Sequence, residues 1–245
     1  MQSTRKEIIN QLQKEILLLQ GFKPPAPDNS GGLGLGPVEQ AFPNGVFPTG
    51  AIHEFLGFEQ EHSAAFGGFI AGILGKLMLQ GSVCLWISMS RTVFPPALKS
   101  FGIEPDRVIF IDVKRERDIL WATEEALKCD ALSAVVAEVA DMNFMQSRRL
   151  QLAVEQSKVT GFILRTDARK LTANICVARW QITPQPSVLE DGMPGVGFPR
   201  WNVELLKVRN GNPGAWVMQW ADAGFTTITP EIEQVVQHQR ILKVV

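Results

Sequence analysis

The turn that follows the first predicted strand is the place where a phosphate cradle would be built. In a parallel α/β core, backbone N–H groups and the N-terminus of the next helix converge at this turn, which here runs from Gly57 to Ala64 (GFEQEHSA). A working phosphate loop has the pattern GxxxxGK[ST], in which the lysine reaches the β- and γ-phosphates and the hydroxyl group holds magnesium. Counted from Gly57, the second glycine is replaced by His62, the lysine by Ser63 and the hydroxyl residue by Ala64.

Two carboxylates, Glu59 and Glu61, also enter this turn. A carboxylate about 5 Å from a phosphate charge costs roughly 3 kcal/mol at an effective dielectric constant of about 20. We therefore expect weak or absent binding of nucleoside triphosphates, no cofactor and no catalysis at this turn. On residue chemistry alone, a polar turn that never bound a nucleotide is an equally good interpretation.

Two further strand ends lack the acids that nucleotide hydrolysis needs. In the run VVAEV, Ala137 occupies the position where a magnesium-binding aspartate would close the strand, and Glu138 is displaced by one residue to the other face. Glu138 is therefore predicted to be solvated or bonded to a protein partner. Ser88 and Ser90 follow another strand without an acid that could activate water. The pattern predicts a protein that is not an enzyme.

Two pairs of basic residues are candidates for contacts with nucleic-acid phosphates. Arg169 and Lys170 lie beyond a predicted strand end and are the better candidates, because cations in such a loop can reach a phosphate backbone. Arg148 and Arg149 lie on a predicted helix, and we expect them to form a solvated face.

These positions are set by alternating strands and helices from Ala51 onward. Predicted strands cover residues 51–55, 83–88, 107–113, 134–139 and 161–166, and predicted helices cover 64–80, 95–101, 117–129 and 144–158. The strands are nearly continuous apolar runs such as VIFIDV and GFILRT, as expected when helices cover both faces of a parallel sheet. The sequence thus predicts an α/β fold with a mostly parallel sheet flanked by helices.

The pattern changes to antiparallel strands after Arg169. Residues 175–183 alternate, and strands at 201–209 and 215–220 flank an NGNPG turn, which is typical of a hairpin. Residues 184–199 are rich in Pro and Gly and predict an exposed loop. Four tryptophans on these late strands are expected in the core: Trp180, Trp201, Trp216 and Trp220.

Four segments are predicted in chain order. Residues 1–20 form an amphipathic helix with an apolar stripe of Ile8, Leu12, Ile16 and Leu19, and residues 21–50 form a Gly/Pro-rich linker. The core covers 51–229, and 230–245 is a C-terminal tail with a short helix at 230–242. Gly32, Gly34 and Gly36 are assigned to the linker because they follow no strand and open no helix.

Composition excludes several classes of protein. The 245 residues carry 24 basic and 25 acidic side chains, so global charge gives no attraction to nucleic acid or anionic membrane. Cys84, Cys129 and Cys176 are too far apart for a metal ribbon or a redox pair and are expected to be reduced and buried. The three histidines are not spaced as metal ligands, and no apolar run is long enough to span a bilayer. We expect a cytoplasmic protein without a metal.

The order of these parts resembles one known family. The run PNGVFPTGAIHEFLG (Pro43 to Gly57), the strand VVAEV, the helix MNFMQSRRLQLAVEQS with the strand GFILRTD, and the strand CVARWQIT are similar to the RecA-like core of ImuA proteins. The similarity covers roughly Phe42 to Trp220, and SRRLQLAVE followed by GFILR is its most distinctive part. More distantly, the chain is similar to SulA-like division inhibitors and to RecA.

The resemblance implies an accessory protein of SOS mutagenesis and translesion synthesis that has lost ATPase function. Its implied partners are RecA, the inactive polymerase-like protein ImuB and an error-prone C-family polymerase. By analogy with RecA, the stripe Ile8, Leu12, Ile16 and Leu19 would bind a RecA protomer, a second copy of the chain or its own core. In RecA, the two DNA-binding loops would follow Val139 and Thr166. The connections at these places are short in this sequence, so we expect at most weak binding of single-stranded DNA. A divergent DNA-dependent ATPase and a SulA-like division inhibitor are the alternatives.

Overall fold

A single nine-stranded sheet forms the body of the described chain. The computed structural model describes residues 2–19, 32–58, 60–79, 82–166, 171–187 and 197–228. The strands are β1 (Ile52–Leu56), β2 (Val83–Ser88), β3 (Val108–Asp112), β4 (Leu132–Val139), β5 (Thr160–Arg165), β6 (Ala178–Gln185), β7 (Arg200–Val208), β8 (Gly214–Ala221) and β9 (Gly224–Ile228). Their order is β3-β2-β4-β5-β1-β6-β7-β8-β9. The first six in this order are parallel, and β6 to β9 pair antiparallel.

Helices cover both faces of the parallel part. They are α1 (Gln2–Leu19), α2 (Gln60–Leu77), α3 (Glu116–Leu127) and α4 (Phe144–Ser157), with 3-10 helices at Gly36–Ala41, Pro43–Gly45, Pro95–Phe101 and Pro105–Arg107. Helix α2 packs in one apolar cluster with β-strand residues such as Phe55, while α3 and α4 pack in the other with residues such as Ile52. Burial on both faces explains the nearly continuous apolar strands. The predicted α/β fold, with a mostly parallel sheet and a C-terminal antiparallel hairpin, is confirmed.

Helix α4 begins at the predicted residue because Asn143 caps it. The Asn143 side chain accepts the N–H of Gln146 at 2.9 Å, and Gln146 returns a side-chain acceptor to the N–H of Asn143 at 2.8 Å. This reciprocal pair satisfies two N–H groups at the helix start. Lys158 ends the helix in the left-handed conformation (φ 63°). The chain then enters β5.

The segment 32–50 does not form the linker that the sequence predicts. Leu35, Val38, Phe42 and Phe47 of this segment are buried in the cluster that includes α2. Its glycines and prolines form turns and two 3-10 helices, which place these apolar side chains against the sheet. The prediction from Gly and Pro content alone was therefore wrong for residues 32–50, because large apolar residues lie between these glycines and prolines. Residues 20–31 lie outside the described residues.

Several smaller expectations can be compared with the structure. Trp180, Trp201 and Trp220 are buried and Trp216 is half-buried against the core, as predicted. Cys84 and Cys176 are buried, but Cys129 is exposed just after α3 because the chain turns outward there. Strand β9 was not predicted; Asp222 and Ala223 enter the turn before it with positive φ.

The ends of the chain complete the comparison. Within the described ranges, no helix has the length and apolarity needed to cross a membrane. The predicted C-terminal tail and its helix at 230–242 lie outside the described residues.

Candidate functional site

The turn between β1 and α2 is closed by its own side chains. Helix α2 starts at Gln60, so two residues separate it from Gly57. The N–H of Gly57 donates to the carbonyl of Arg165 at 2.8 Å. A Cβ atom on Gly57 would lie 2.4 Å from Cζ of Phe66, so the Phe66 ring packs directly against this glycine. The glycine is required here by close packing.

His62 bonds the backbone of the turn. The N–H of Phe58 donates to Nδ1 of His62 at 3.2 Å, and the two rings meet edge to face. A backbone donor that a phosphate would need is thus already bonded within the chain. Ser63 and Ala64 follow on the first turns of α2, and Glu61 is exposed beside them. Glu59 lies outside the described residues.

Glu138 is bonded to a tryptophan across the sheet. Its Oε1 accepts the indole N–H of Trp86 at 2.8 Å, and burial raises the pKa of Glu138 although this hydrogen bond opposes the rise. The space bounded by Ser63, Trp86, Thr92 and Glu138 has a volume of about 10 Å³. One water molecule needs roughly that volume. The space between these four side chains therefore holds no more than about one water molecule.

An apolar groove opens beside this filled region. It has a volume of about 440 Å³ and runs between α2 and the segment 92–101. On one side, Gly67 and Gly68 of α2 line the groove without side chains, and Val93 and Phe94 line the opposite side. The lining carries no charged side chain. The groove can accommodate an apolar group but offers no cation for a phosphate.

A buried ion cluster joins the middle of β1 to the end of β5 and the start of β6, and the sequence analysis missed it. Glu54 accepts from Nη1 of Arg165 at 3.2 Å, from Nε of Arg179 at 2.5 Å and from the amide of Asn174 at 2.6 Å. Arg165 also donates to Asp141 at 2.5 Å, just after β4. The sequence feature that could have indicated the cluster is a charged residue within each of three otherwise mainly apolar segments, namely Glu54, Arg165 and Arg179. The cluster ties the segments after β4 and β5 to the sheet.

His53 is a second buried titratable group. Its Nε2–H donates to the carbonyl of Pro48 at 2.8 Å, its Nδ1 accepts the indole N–H of Trp180 at 3.2 Å, and Phe47 stacks on its ring at 4.4 Å. Burial lowers the pKa of His53 to about 4. This histidine is neutral and structural. Among the described residues, no three His, Cys, Asp or Glu side chains are grouped as metal ligands.

The apolar stripe of α1 is exposed. Ile8, Leu12, Ile16 and Leu19 are between 50% and 88% exposed, whereas Leu17 of the same helix packs on the core. The core of the chain therefore does not cover the stripe. Of the other sequence candidates, Arg149 is paired with Glu124 on α3, and Arg169 and Lys170 lie outside the described residues.

The fold and the closed turn define an α/β protein with a mostly parallel sheet, in which side chains pack against the turn that follows the first strand. No family model matches the chain. The chain is 32% identical over 216 residues to Protein ImuA of Caulobacter vibrioides strain NA1000 / CB15N, covering 83% of this chain and 88% of the relative. The match to Protein ImuA of strain ATCC 19089 has the same values. The chain belongs to the ImuA family.

Proposed function

We propose that this protein is a non-catalytic adaptor in SOS-induced translesion synthesis. The observation that carries the proposal is the closed turn between β1 and α2, where Phe66 packs against Gly57 and His62 accepts the N–H of Phe58. A chain that keeps the core but fills the site of chemistry acts through contacts with other proteins. Membership of the ImuA family supports a role in DNA-damage mutagenesis. We place this role in the cytoplasm.

The binding element of this proposal is α1. Its stripe is apolar, at least half exposed and built on a regular helix, which is the geometry that an amphipathic helix uses to enter a partner groove. The proposed partners are RecA, ImuB and an error-prone C-family polymerase, and a second copy of the chain would use the same stripe.

A capture experiment tests the binding element. RecA, ImuB and the polymerase are presented to the intact chain and to the double variant Leu12→Asp/Ile16→Asp. We expect capture of at least one partner by the intact chain and its loss in the variant, because two carboxylates would be buried without partners. Gln11→Asp adds a charge on the same helix outside the stripe and serves as the control. Equal capture of the partners by the intact chain, the double variant and Gln11→Asp would contradict a role for α1.

A thermal shift experiment and a hydrolysis assay test whether the chain binds and hydrolyses ATP. A ligand at about 100 times its Kd stabilises a folded protein by roughly 2.7 kcal/mol, so a functional nucleotide site would raise Tm clearly. We expect no shift with ATP and magnesium, and no hydrolysis with or without single-stranded DNA. A shift that disappears in Ser63→Ala would instead favour a divergent ATPase.

A further inference from the structure

A groove between α3 and α4 exposes a tryptophan on the face of the sheet opposite to α2. It has a volume of about 210 Å³, and its walls include Arg117, Trp121 and Glu124 from α3 and Gln146 and Arg149 from α4. The side chain of Trp121 is 65% exposed. The other five tryptophans are buried or half-buried. The indole of Trp121 therefore has no role in the core.

Basic residues lie at the starts of the two helices that form this groove, and two of them, Arg117 and Arg149, line it. Five basic residues lie at the start of α3 and on the first turns of α4: Lys114, Arg115, Arg117, Arg148 and Arg149. Lys114, Arg115 and Arg148 are exposed and make no ion pair with the described part of the chain. These two helix starts therefore offer exposed cations to an anionic ligand although the whole chain has a net charge of −1.

The carboxylates of the same face are already engaged. Glu124 contacts Arg149 at 2.5 Å and Lys128 at 3.6 Å. Glu116 accepts the N–H of Ala140 at 3.0 Å, and Asp118 lies 3.6 Å from Arg117. Glu124 and Asp118 are therefore paired with cations, and Lys114, Arg115 and Arg148 remain available to an anionic ligand.

We propose that this α3–α4 face binds single-stranded nucleic acid. A base would stack on the indole of Trp121, with the Gln146 amide beside it, and the backbone phosphates would run along Arg115, Arg117 and Arg148. Exposed aromatic rings interleaved with cations are the chemistry that binds unpaired bases without sequence preference. Besides the ring, the groove walls carry two guanidinium groups and an amide, together with Leu120, Leu150 and Glu124, whose carboxylate is paired with Arg149. This site extends the proposed function and does not depend on α1.

Fluorescence anisotropy with a labelled thymidine oligonucleotide of about 16 nucleotides tests the stacking contact. Stacking on an aromatic side chain accounts for roughly tenfold in affinity per base. We expect Trp121→Ala to bind about tenfold more weakly and Trp121→Phe to keep most of the affinity. Phe94→Ala, which removes an exposed ring from the α2 face, should bind like the intact chain. Equal affinity of Trp121→Ala and the intact chain would overturn the proposal.

The salt dependence of the same binding tests the phosphate contacts. Each phosphate contact to a single strand contributes about 0.7 to the slope of log Kd against log salt. We expect Arg148→Ala to reduce the slope by about that amount, whereas Lys99→Ala, at an exposed cation of the segment 95–101, should leave it unchanged. An unchanged slope of log Kd against log salt in Arg148→Ala would show that Arg148 makes no phosphate contact.

Two further outcomes would overturn the proposal and leave the adaptor function intact. One is absence of oligonucleotide binding at about 50 mM salt and about 100 µM protein. The other is that Trp121→Ala loses capture of ImuB or the polymerase while oligonucleotide affinity stays the same, which would identify the face as a protein interface. Conversely, loss of partner capture in the α1 variant with normal oligonucleotide binding would leave this site standing.

Discussion

The indole N–H of Trp86 on β2 donates a hydrogen bond of 2.8 Å to the carboxylate of Glu138 on β4. Strands β2 and β4 are neighbours, so this hydrogen bond joins them near their carboxyl ends. A nucleotide-binding α/β protein exposes its acids at the carboxyl ends of its strands. Ser63 and Thr92 line the remaining space of about 10 Å³. Glu138 acts here as an acceptor inside the protein.

We expect Glu138→Gln to be as stable as the intact chain or more stable near pH 8. The folded state raises the pKa of Glu138, so its ionised form is disfavoured in the folded protein and the chain loses stability as pH rises through that pKa. Glutamine keeps an acceptor for Trp86 without a charge. Glu138→Ala leaves the indole N–H unpaired and should cost about 1–2 kcal/mol.

Urea unfolding near pH 8 and near pH 4.5 checks this expectation for the three proteins. The difference between the intact chain and Glu138→Gln should shrink at the lower pH, because the glutamate is then protonated in the folded state. Stabilisation of the intact chain by magnesium, absent in Glu138→Gln, would contradict the assignment and identify Glu138 as a metal ligand.

His53 makes the stability of the core dependent on pH in the opposite direction. Its pKa is about 4 in the folded protein, below the ordinary value of 6.5, so the unfolded chain takes up a proton first as pH falls. Between about pH 8 and pH 5 the intact chain should lose about 2 kcal/mol more unfolding free energy than His53→Gln. Glutamine can still bond Pro48 and Trp180. Parallel pH profiles for the two proteins would contradict the buried neutral imidazole.

Glu54 is expected to be the most sensitive charged residue of the fold. Glu54→Gln leaves Arg165 and Arg179 without their common carboxylate in a buried place, and breaking a buried pair costs about 3–5 kcal/mol. Urea unfolding of Asp112→Asn gives the matched control, since the pair Arg91–Asp112 is half exposed and worth less than about 1 kcal/mol.

A compensating variant keeps the Glu54 prediction testable if Glu54→Gln does not fold. Replacing Glu54, Arg165 and Arg179 together with leucine, methionine and leucine removes all three charges, and such replacements are often neutral or stabilising. The triple variant should therefore be more stable than Glu54→Gln. A triple variant that is less stable would show that the cluster acts through other contacts, such as those of Asp141.

Two glycines of α2 should respond to alanine with opposite signs. A Cβ atom on Gly72 would lie 2.5 Å from Cζ of Phe225 and 2.9 Å from Trp220, so Gly72→Ala forces the late strands away from the helix. A Cβ atom on Gly67 meets nothing within 4 Å, and alanine there gains up to about 1 kcal/mol of helix propensity. Thermal unfolding should show a lower Tm for the first variant and a higher one for the second. Two changes of the same sign would contradict the packing.

The sequence was sufficient for the fold class and for most of the helices and strands. Apolar runs predicted the parallel strands, and the helical spacing of Ile8, Leu12 and Ile16 predicted α1, because both periodicities are local properties of the chain. The NGNPG turn predicted the β7–β8 hairpin for the same reason. The positions of His62 and Ala64 also predicted the loss of the phosphate-loop pattern, since a motif is read from consecutive residues.

The tertiary structure alone decided which residues meet. Glu54 and Arg165 are 111 positions apart, and only the parallel pairing of β1 with β5 brings them together. The packing of Phe66 against Gly57 and the burial of Phe47 depend on how α2 and the segment 32–50 lie on the sheet. Such contacts join distant parts of the chain through the geometry of a twisted sheet, and neither composition nor periodicity encodes that geometry locally.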